Sequence, residues 1–325
     1  MTRAGVRGAG CGAVLAWNLI LRPHPASRIP HPASRSSQLD MLPVTDAHIH
    51  IQPFHMMKPE VQRTFWMKKD NRAELEGLAE DPARLLAQMD ADGIARVGLI
   101  NYVSPDIMGF TSEVNAWMMN YASADRSRLI PFGSVHPAYS KDVGGDTDRV
   151  IEMGARALKV HPPHQNLRAN AYLHDYPALA ELYARAEAAG VPVTIHTGTS
   201  VFPGARSRLG DPMDVDDVAV DFPKLKILLA HGGRPLWMEA AFFVVRRHPN
   251  VYLEVSGIPP ARLLEWFPRL EDIAHKTIWG TDWPSPGIKS MRQNVDAFLE
   301  QPLSDAARRR ILFENASALW PADGR

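Results

Sequence analysis

The chain has 325 residues, 36 Lys+Arg against 36 Asp+Glu, and 45% apolar residues. A net charge of zero argues against a nucleic-acid partner and against electrostatic docking on an anionic membrane. The lone cysteine, Cys11, excludes an intrachain disulfide and a cysteine-based zinc site, so any metal must be held by His and carboxylate.

Residues 1–40 carry no acid before Asp40, five arginines, and the hexapeptide PHPASR twice, at 23–28 and 30–35. They read as a disordered extension of a cytoplasmic protein. An export or organellar signal is the alternative, given the arginines ahead of the apolar run 11–21. That run is too short to span a membrane. The fold argument therefore takes residues 41–325 as one domain.

Eight short apolar runs follow in order, at 44–51, 96–101, 129–135, 155–161, 191–196, 225–231, 251–256 and 276–279. They are nearly continuous rather than alternating, as parallel strands covered on both faces are. Helical patterns lie between them, at 83–91, 111–124, 147–152, 175–189, 236–247, 261–274 and 304–318. Eight strand-then-helix units have one common closed solution, the (β/α)₈ TIM barrel. An open doubly wound sheet would want a glycine-rich turn after its first strand. Here that strand ends in DAHIH (46–50).

Polar residues gather at the C-terminal ends of these runs, the face where barrels build active sites. His48 and His50 are two apart, so a strand turns both imidazoles to one side. His196 ends the fifth run, His231 the sixth, and Asp282 follows the eighth. In a closed barrel these ends share one opening, so His48, His50, His196 and Asp282 can converge on a metal. A single histidine at a strand end is more often a hydrogen-bonded or surface residue than a ligand. An ordered series at successive strand ends is not an accident of composition.

Lys159 and His161, at the end of the fourth run, are candidates for substrate contact. The connection 51–80 is long enough to be a lid over the barrel mouth or a surface packed on a second subunit. It carries Phe54, His55, Phe65 and Trp66, with a helix expected over 59–69, and Phe54 and Trp66 are read as substrate-facing. Tyr102, His164, Arg168, Arg234, Trp237 and Trp283 also fall just after strand ends. Arg234 and Trp283 are the favoured pocket residues of that group, and the arginines would suit an anionic substrate.

The motifs DAHIH (46–50), KVHP (159–162), TIHTG (194–198), LAHGG (229–233), GTDWP (280–284) and ILFENA (311–316) resemble the amidohydrolase superfamily. The resemblance is closest to its amidohydrolase-related branch, which holds metal-dependent hydrolases and non-oxidative decarboxylases such as aminocarboxymuconate semialdehyde decarboxylase. It covers about 43–320. It implies first-strand ligands at His48 and His50, a fifth-strand ligand at His196, and His231 beside metal and substrate. Asp282 would be ligand, general base, or both. Lys159 would bridge two metals, as in binuclear members, bind a substrate carboxylate, or only pack there. The expected cofactor is one divalent ion, zinc or else manganese. The expected partners are a small-molecule substrate and a second copy in a homodimer. The leading functional reading is hydrolysis of a small carboxylated or cyclic compound by metal-activated water, with catalytic Asp282 and His231. The alternatives are a metal-dependent decarboxylase and a catalytically silent barrel.

Overall fold

The computed structural model describes residues 42–67, 69–285 and 287–321. The expectations for residues 1–40 fall outside that range. Eight strands, Val44–Ile49 (β1), Ile94–Leu99 (β2), Leu129–Gly133 (β3), Ala157–Val160 (β4), Val193–His196 (β5), Ile227–Ala230 (β6), Val251–Glu254 (β7) and Thr277–Ile278 (β8), pair in sequence order. Every neighbouring pair is parallel. The ring closes through backbone bonds between β1 and the segment after β8. Ala47 N–H donates to the Trp279 carbonyl at 3.0 Å, His50 N–H to that of Trp283 at 2.7 Å, and Asp282 N–H to that of His48 at 2.8 Å. The TIM barrel expected from the sequence is the fold.

Sequence chemistry fixes the helices between the strands. Asp81 caps the helix Pro82–Asp92, its carboxylate accepting from Ala83 N–H at 2.9 Å, with Pro82 at the first helical position. The helix stops at Gly93, whose φ of 67° is the left-handed conformation that glycine adopts without penalty. The expected segment 147–152 begins earlier, at Val143, because Asp142 supplies the cap. The expected helix 261–274 is broken into Pro260–Arg262, Leu263–Trp266 and Leu270–Lys276, since Pro268 has no N–H to continue it. Helices Arg72–Glu80, Met213–Asp221 and Met291–Leu299 were not anticipated. The C-terminal helix runs Asp305–Leu319 with a π-turn at Arg310–Glu314. There Asn315 donates to the carbonyls of Ala274 and Thr277, at 2.7 and 2.6 Å, and fastens the helix under β8.

The long first connection folds as a 3₁₀ turn at Phe54–Met56 and the helix Pro59–Trp66. Phe54, Phe65 and Trp66 pack ring on ring, with centroids 4.7–5.2 Å apart. Among the described residues, no helix is long and apolar enough to cross a membrane.

Candidate functional site

The C-terminal ends of the strands surround a cavity of about 610 Å³. His50, His161, His196, His231, Arg234 and Asp282 line its floor. Met57 and Phe65 from the first connection, with Met108, Phe202 and Ile258, make its apolar walls.

β1 delivers two imidazoles to one point. His48 Nε2 lies 3.2 Å from His50 Nε2, and Asp282 Oδ1 lies 3.0 Å from His50 Nε2 and 3.6 Å from His48 Nε2. The donor atoms of His48, His231 and Asp282 all fall within 4.8 Å of one another. His196 stands one ring away, its centroid 4.6 Å from that of His231, and its buried Nε2 has no protein partner. Both His231 and Asp282 hold left-handed backbone, with φ of 66° and 69°. Such conformations persist in non-glycine residues only where the surroundings impose them.

The supporting shell sets the imidazole tautomers. His48 Nδ1 lies 2.6 Å from Glu254 Oε2, so the Nδ1 proton is held there and Nε2 turns its lone pair to the cluster. A carbonyl can only accept. The 2.9 Å contact from His231 Nδ1 to the Ser256 carbonyl therefore leaves His231 Nε2 as the lone-pair nitrogen. Burial, then the Lys159 ammonium, holds His48 far below the ordinary imidazole value. Burial likewise keeps His196 and His231 neutral. Burial opposes ionisation of Asp282, but the hydrogen bond from His50 and the nearby charges, Arg234 among them, hold its carboxyl well below the usual carboxylate range.

This donor set fits one divalent cation. Neutral imidazoles and an ionised carboxylate are hard-to-borderline ligands, and metal–ligand bonds near 2.0–2.2 Å put ligands of one ion ~3–3.6 Å apart. The separations of 3.0, 3.2 and 3.6 Å among His48, His50 and Asp282 match. The buried, unpartnered Nε2 of His196 has no other account in the structure.

Glu254 and Asp46 are site residues that the sequence reading assigned no role. Glu254 is fully buried at the end of β7, accepts Ser256 N–H at 2.7 Å, and is pushed up to about 7 by burial. Its signal was present: it is the one charge in the apolar run VYLEVS. Asp46 accepts from Thr281 N–H at 2.9 Å and Thr281 O–H at 2.6 Å, tying β1 to the Asp282 loop. Two glycines make room. A Cβ on Gly280 would lie 2.6 Å from Glu254 Oε1, and one on Gly257 would lie 2.4 Å from Arg234 Nη2.

Four expected substrate contacts lie elsewhere. Lys159 is wholly buried in the barrel interior, beneath the cavity floor, and its Nζ has no hydrogen-bond partner. Phe54 and Trp66 do not line this cavity: Phe54 lines a second one with Gln62, Arg72 and Trp117, and the helix Pro59–Trp66 presents Phe65, not Trp66, to the first. Trp283 is buried, pairs with Ile49 and serves to close the barrel. Of the other residues beyond strand ends, Tyr102, His164 and Arg234 line the cavity. Arg168 is instead paired with Asp214 at 2.9 Å, and Trp237 precedes the helix Met238–Arg247.

A search among curated proteins returns no match. Solved structures share the fold. An uncharacterised TIM-barrel protein from Bordetella bronchiseptica superposes with a TM-score of 0.68 at 22% identity, over 87% of this chain and 99% of that one. A 5-carboxyvanillate decarboxylase from Novosphingobium aromaticivorans, complexed with manganese and 4-hydroxy-3-methoxy-5-nitrobenzoic acid, gives 0.57 at 14%, over 85% and 94%. A 4-oxalomesaconate hydratase from Rhodopseudomonas palustris gives 0.55 at 14%, over 86% and 96%. The amidohydrolase family model matches residues 45–322, from the second residue of β1 to past the last helix. Since that match takes in every strand and every ligand candidate, the chain belongs to the amidohydrolase family.

Proposed function

We propose that this chain is a divalent-metal-dependent carboxy-lyase acting on a small aromatic or unsaturated carboxylic acid. Arg234 carries the reading. Its Nη2 is anchored on Asp282 Oδ2 at 3.1 Å, its Nε is buried without a partner, and its side chain faces the cavity beside the imidazole cluster. A guanidinium has five donors in a planar fork, so the donors not spent on Asp282 suit a substrate carboxylate. The apolar walls from Met57, Phe65, Met108 and Phe202 suit a flat organic body.

The contacts of Asp282 support the carboxy-lyase reading over hydrolysis. A water-activating base works best with a pKa near the working pH. Both oxygens of Asp282 are engaged, by His50 and by Arg234, and its carboxyl is held well below the usual range. An oxygen already held by a guanidinium takes a further proton poorly, which suits Asp282 to the role of anionic ligand. Zinc or manganese bound by His48, His50, His196 and Asp282 would act as a Lewis acid on substrate oxygens. Arg234 orients the acid. The manganese and the nitrobenzoic acid held by the decarboxylase of like fold support the same class of ligand.

Hydrolysis is the second reading, favoured by the nearness of Asp282 Oδ1 to the ligand imidazoles. The test is a panel of aromatic and unsaturated carboxylic acids and lactones, given to zinc- and manganese-loaded protein and scored for carbon dioxide release and for ring opening. Carbon dioxide from at least one acid is expected. Lactone opening with no carbon dioxide from any acid would replace the first reading by the second.

A further inference from the structure

Three side chains in the cavity wall have no part in the metal cluster. His164 is buried, and both ring nitrogens are occupied by hydroxyls: Nδ1 by Tyr102 Oη at 2.9 Å and Nε2 by Ser200 Oγ at 2.6 Å. Its place is fixed from behind, since Ser104 O–H donates to the His164 carbonyl at 2.7 Å. Its ring lies flat on His161, with centroids 3.6 Å apart and planes 7° apart. Tyr102 is 2% exposed, whereas Ser200 is half-buried beside Val201, which is 75% exposed. Tyr102, His164 and Ser200 all line the cavity that Asp282 and Arg234 floor.

A neutral imidazole has one donor nitrogen and one acceptor nitrogen, so this chain of bonds must run one way. In one direction Ser200 O–H donates to His164 Nε2 and His164 Nδ1–H donates to Tyr102. The Tyr102 hydroxyl hydrogen is then left over, and Tyr102 has no second protein partner among the described residues. In the other direction the spare hydroxyl hydrogen is on Ser200. Ser200 Oγ is braced in both, because it accepts Phe202 N–H at 3.2 Å. Passing between the two arrangements moves a proton from one end to the other and leaves no group charged. Burial holds His164 down to about 3, so the imidazole stays neutral across the working range.

We propose that Ser200, His164 and Tyr102 form a neutral proton wire from the cavity mouth to the substrate, with Tyr102 as the group that protonates the carbon vacated by carbon dioxide. The proposal rests on the carboxy-lyase reading. The carbon–carboxylate bond breaks and its electron pair stays on carbon. Tyr102 O–H delivers its proton there, His164 Nδ1–H reprotonates Tyr102, Ser200 O–H reprotonates His164 Nε2, and a water at the mouth reprotonates Ser200. The hydroxide left by that water joins carbon dioxide as bicarbonate. One carboxylate and one water become one R–H and one bicarbonate.

Tyr102→Phe keeps the ring and removes the proton. For an acid that the wild type decarboxylates, kcat should fall about 100-fold, the lower end of what a positioned general acid contributes, while KM stays within about threefold. Ser200→Ala should straighten a curved proton inventory, and added imidazole should restore part of the kcat lost in His164→Gly. Near-normal kcat in Tyr102→Phe overturns the wire. If no acid releases carbon dioxide, the carboxy-lyase reading fails by itself, and ¹⁵N-histidine NMR of the full chain judges the wire. His164 should then stay neutral from pH 5 to 8, with ring-nitrogen shifts that change when either hydroxyl is removed. A protonated His164 in that range, or one indifferent to both hydroxyls, overturns the wire without reference to turnover.

Discussion

At the scale of single residues, the site depends on groups that never touch a ligand. Glu254 holds the proton of His48 Nδ1 at 2.6 Å and so aims Nε2 at the cluster. Outer partners of metal-bound histidines typically set 10–100-fold in metal affinity. Glu254→Gln should therefore weaken zinc binding about 10–100-fold, read by competition with a chelating dye, with little change in helix content. Affinity equal to the wild type would reduce Glu254 to a packing residue. The convergence of His48, His50 and His231 was legible because strand period and position speak directly: residues two apart share a face, and parallel strand ends share an opening. Glu254 was missed because one acid in an apolar run says that it is buried, not what it faces. Lys159 was legible only as a residue of the fourth strand end, because the sequence does not say whether a side chain at that level reaches the cavity or, as here, stays wholly buried.

At the scale of elements, the first connection is the part that the sequence described least well. Its length and aromatic content announced a functional insertion, but which ring faces the cavity depends on helix phase, and neighbouring Phe65 and Trp66 differ by about 100°. Phe65 is 5% exposed, packs against both Phe54 and Trp66, and forms part of the cavity wall. Truncating a buried Phe costs ~3–5 kcal/mol where neighbours cannot collapse. Phe65→Ala should lower Tm by several degrees and raise KM more than it lowers kcat, measured by calorimetry and steady-state kinetics on one preparation. Unchanged KM would detach this connection from the substrate. The missed helix Met213–Asp221 has four aspartates in nine residues, a composition that reads as a loop until its Val215 and Val218 are seen to be buried. The break in the expected helix 261–274 was legible in Pro268, had the proline been weighed above the apolar pattern.

At the scale of the whole molecule, the buried histidines make stability depend on pH. His48, His136, His161, His164, His196 and His231 are all pushed below the ordinary value of 6.5 by burial, His136 to about 4 and His164 to about 3. Folded, they stay unprotonated in mild acid; unfolded, they take up protons below pH 6.5. Over that window the unfolded chain binds more protons, so stability rises with pH and is lost as pH falls. Asp46 and Glu254, both pushed up to about 7 by burial, act in the opposite sense, because the folded chain keeps protons that the unfolded chain releases near pH 4. The histidines outnumber them. Metal-free protein should lose urea stability steadily from pH 7 to pH 4.5, and a flat or rising profile would show that these imidazoles are not buried neutral. Added zinc should steepen the loss, since protons then compete for its ligands.

The barrel closes beside its own candidate site. The backbone bonds that join its two ends come from Ala47, His50 and Asp282, so two of the candidate ligands, His50 and Asp282, also knot the ring. Any shuffling of residues 280–284 in search of new chemistry would untie that knot along with the old chemistry. The swappable parts of this scaffold are the connections after β2 to β6, which can be exchanged without opening the circle.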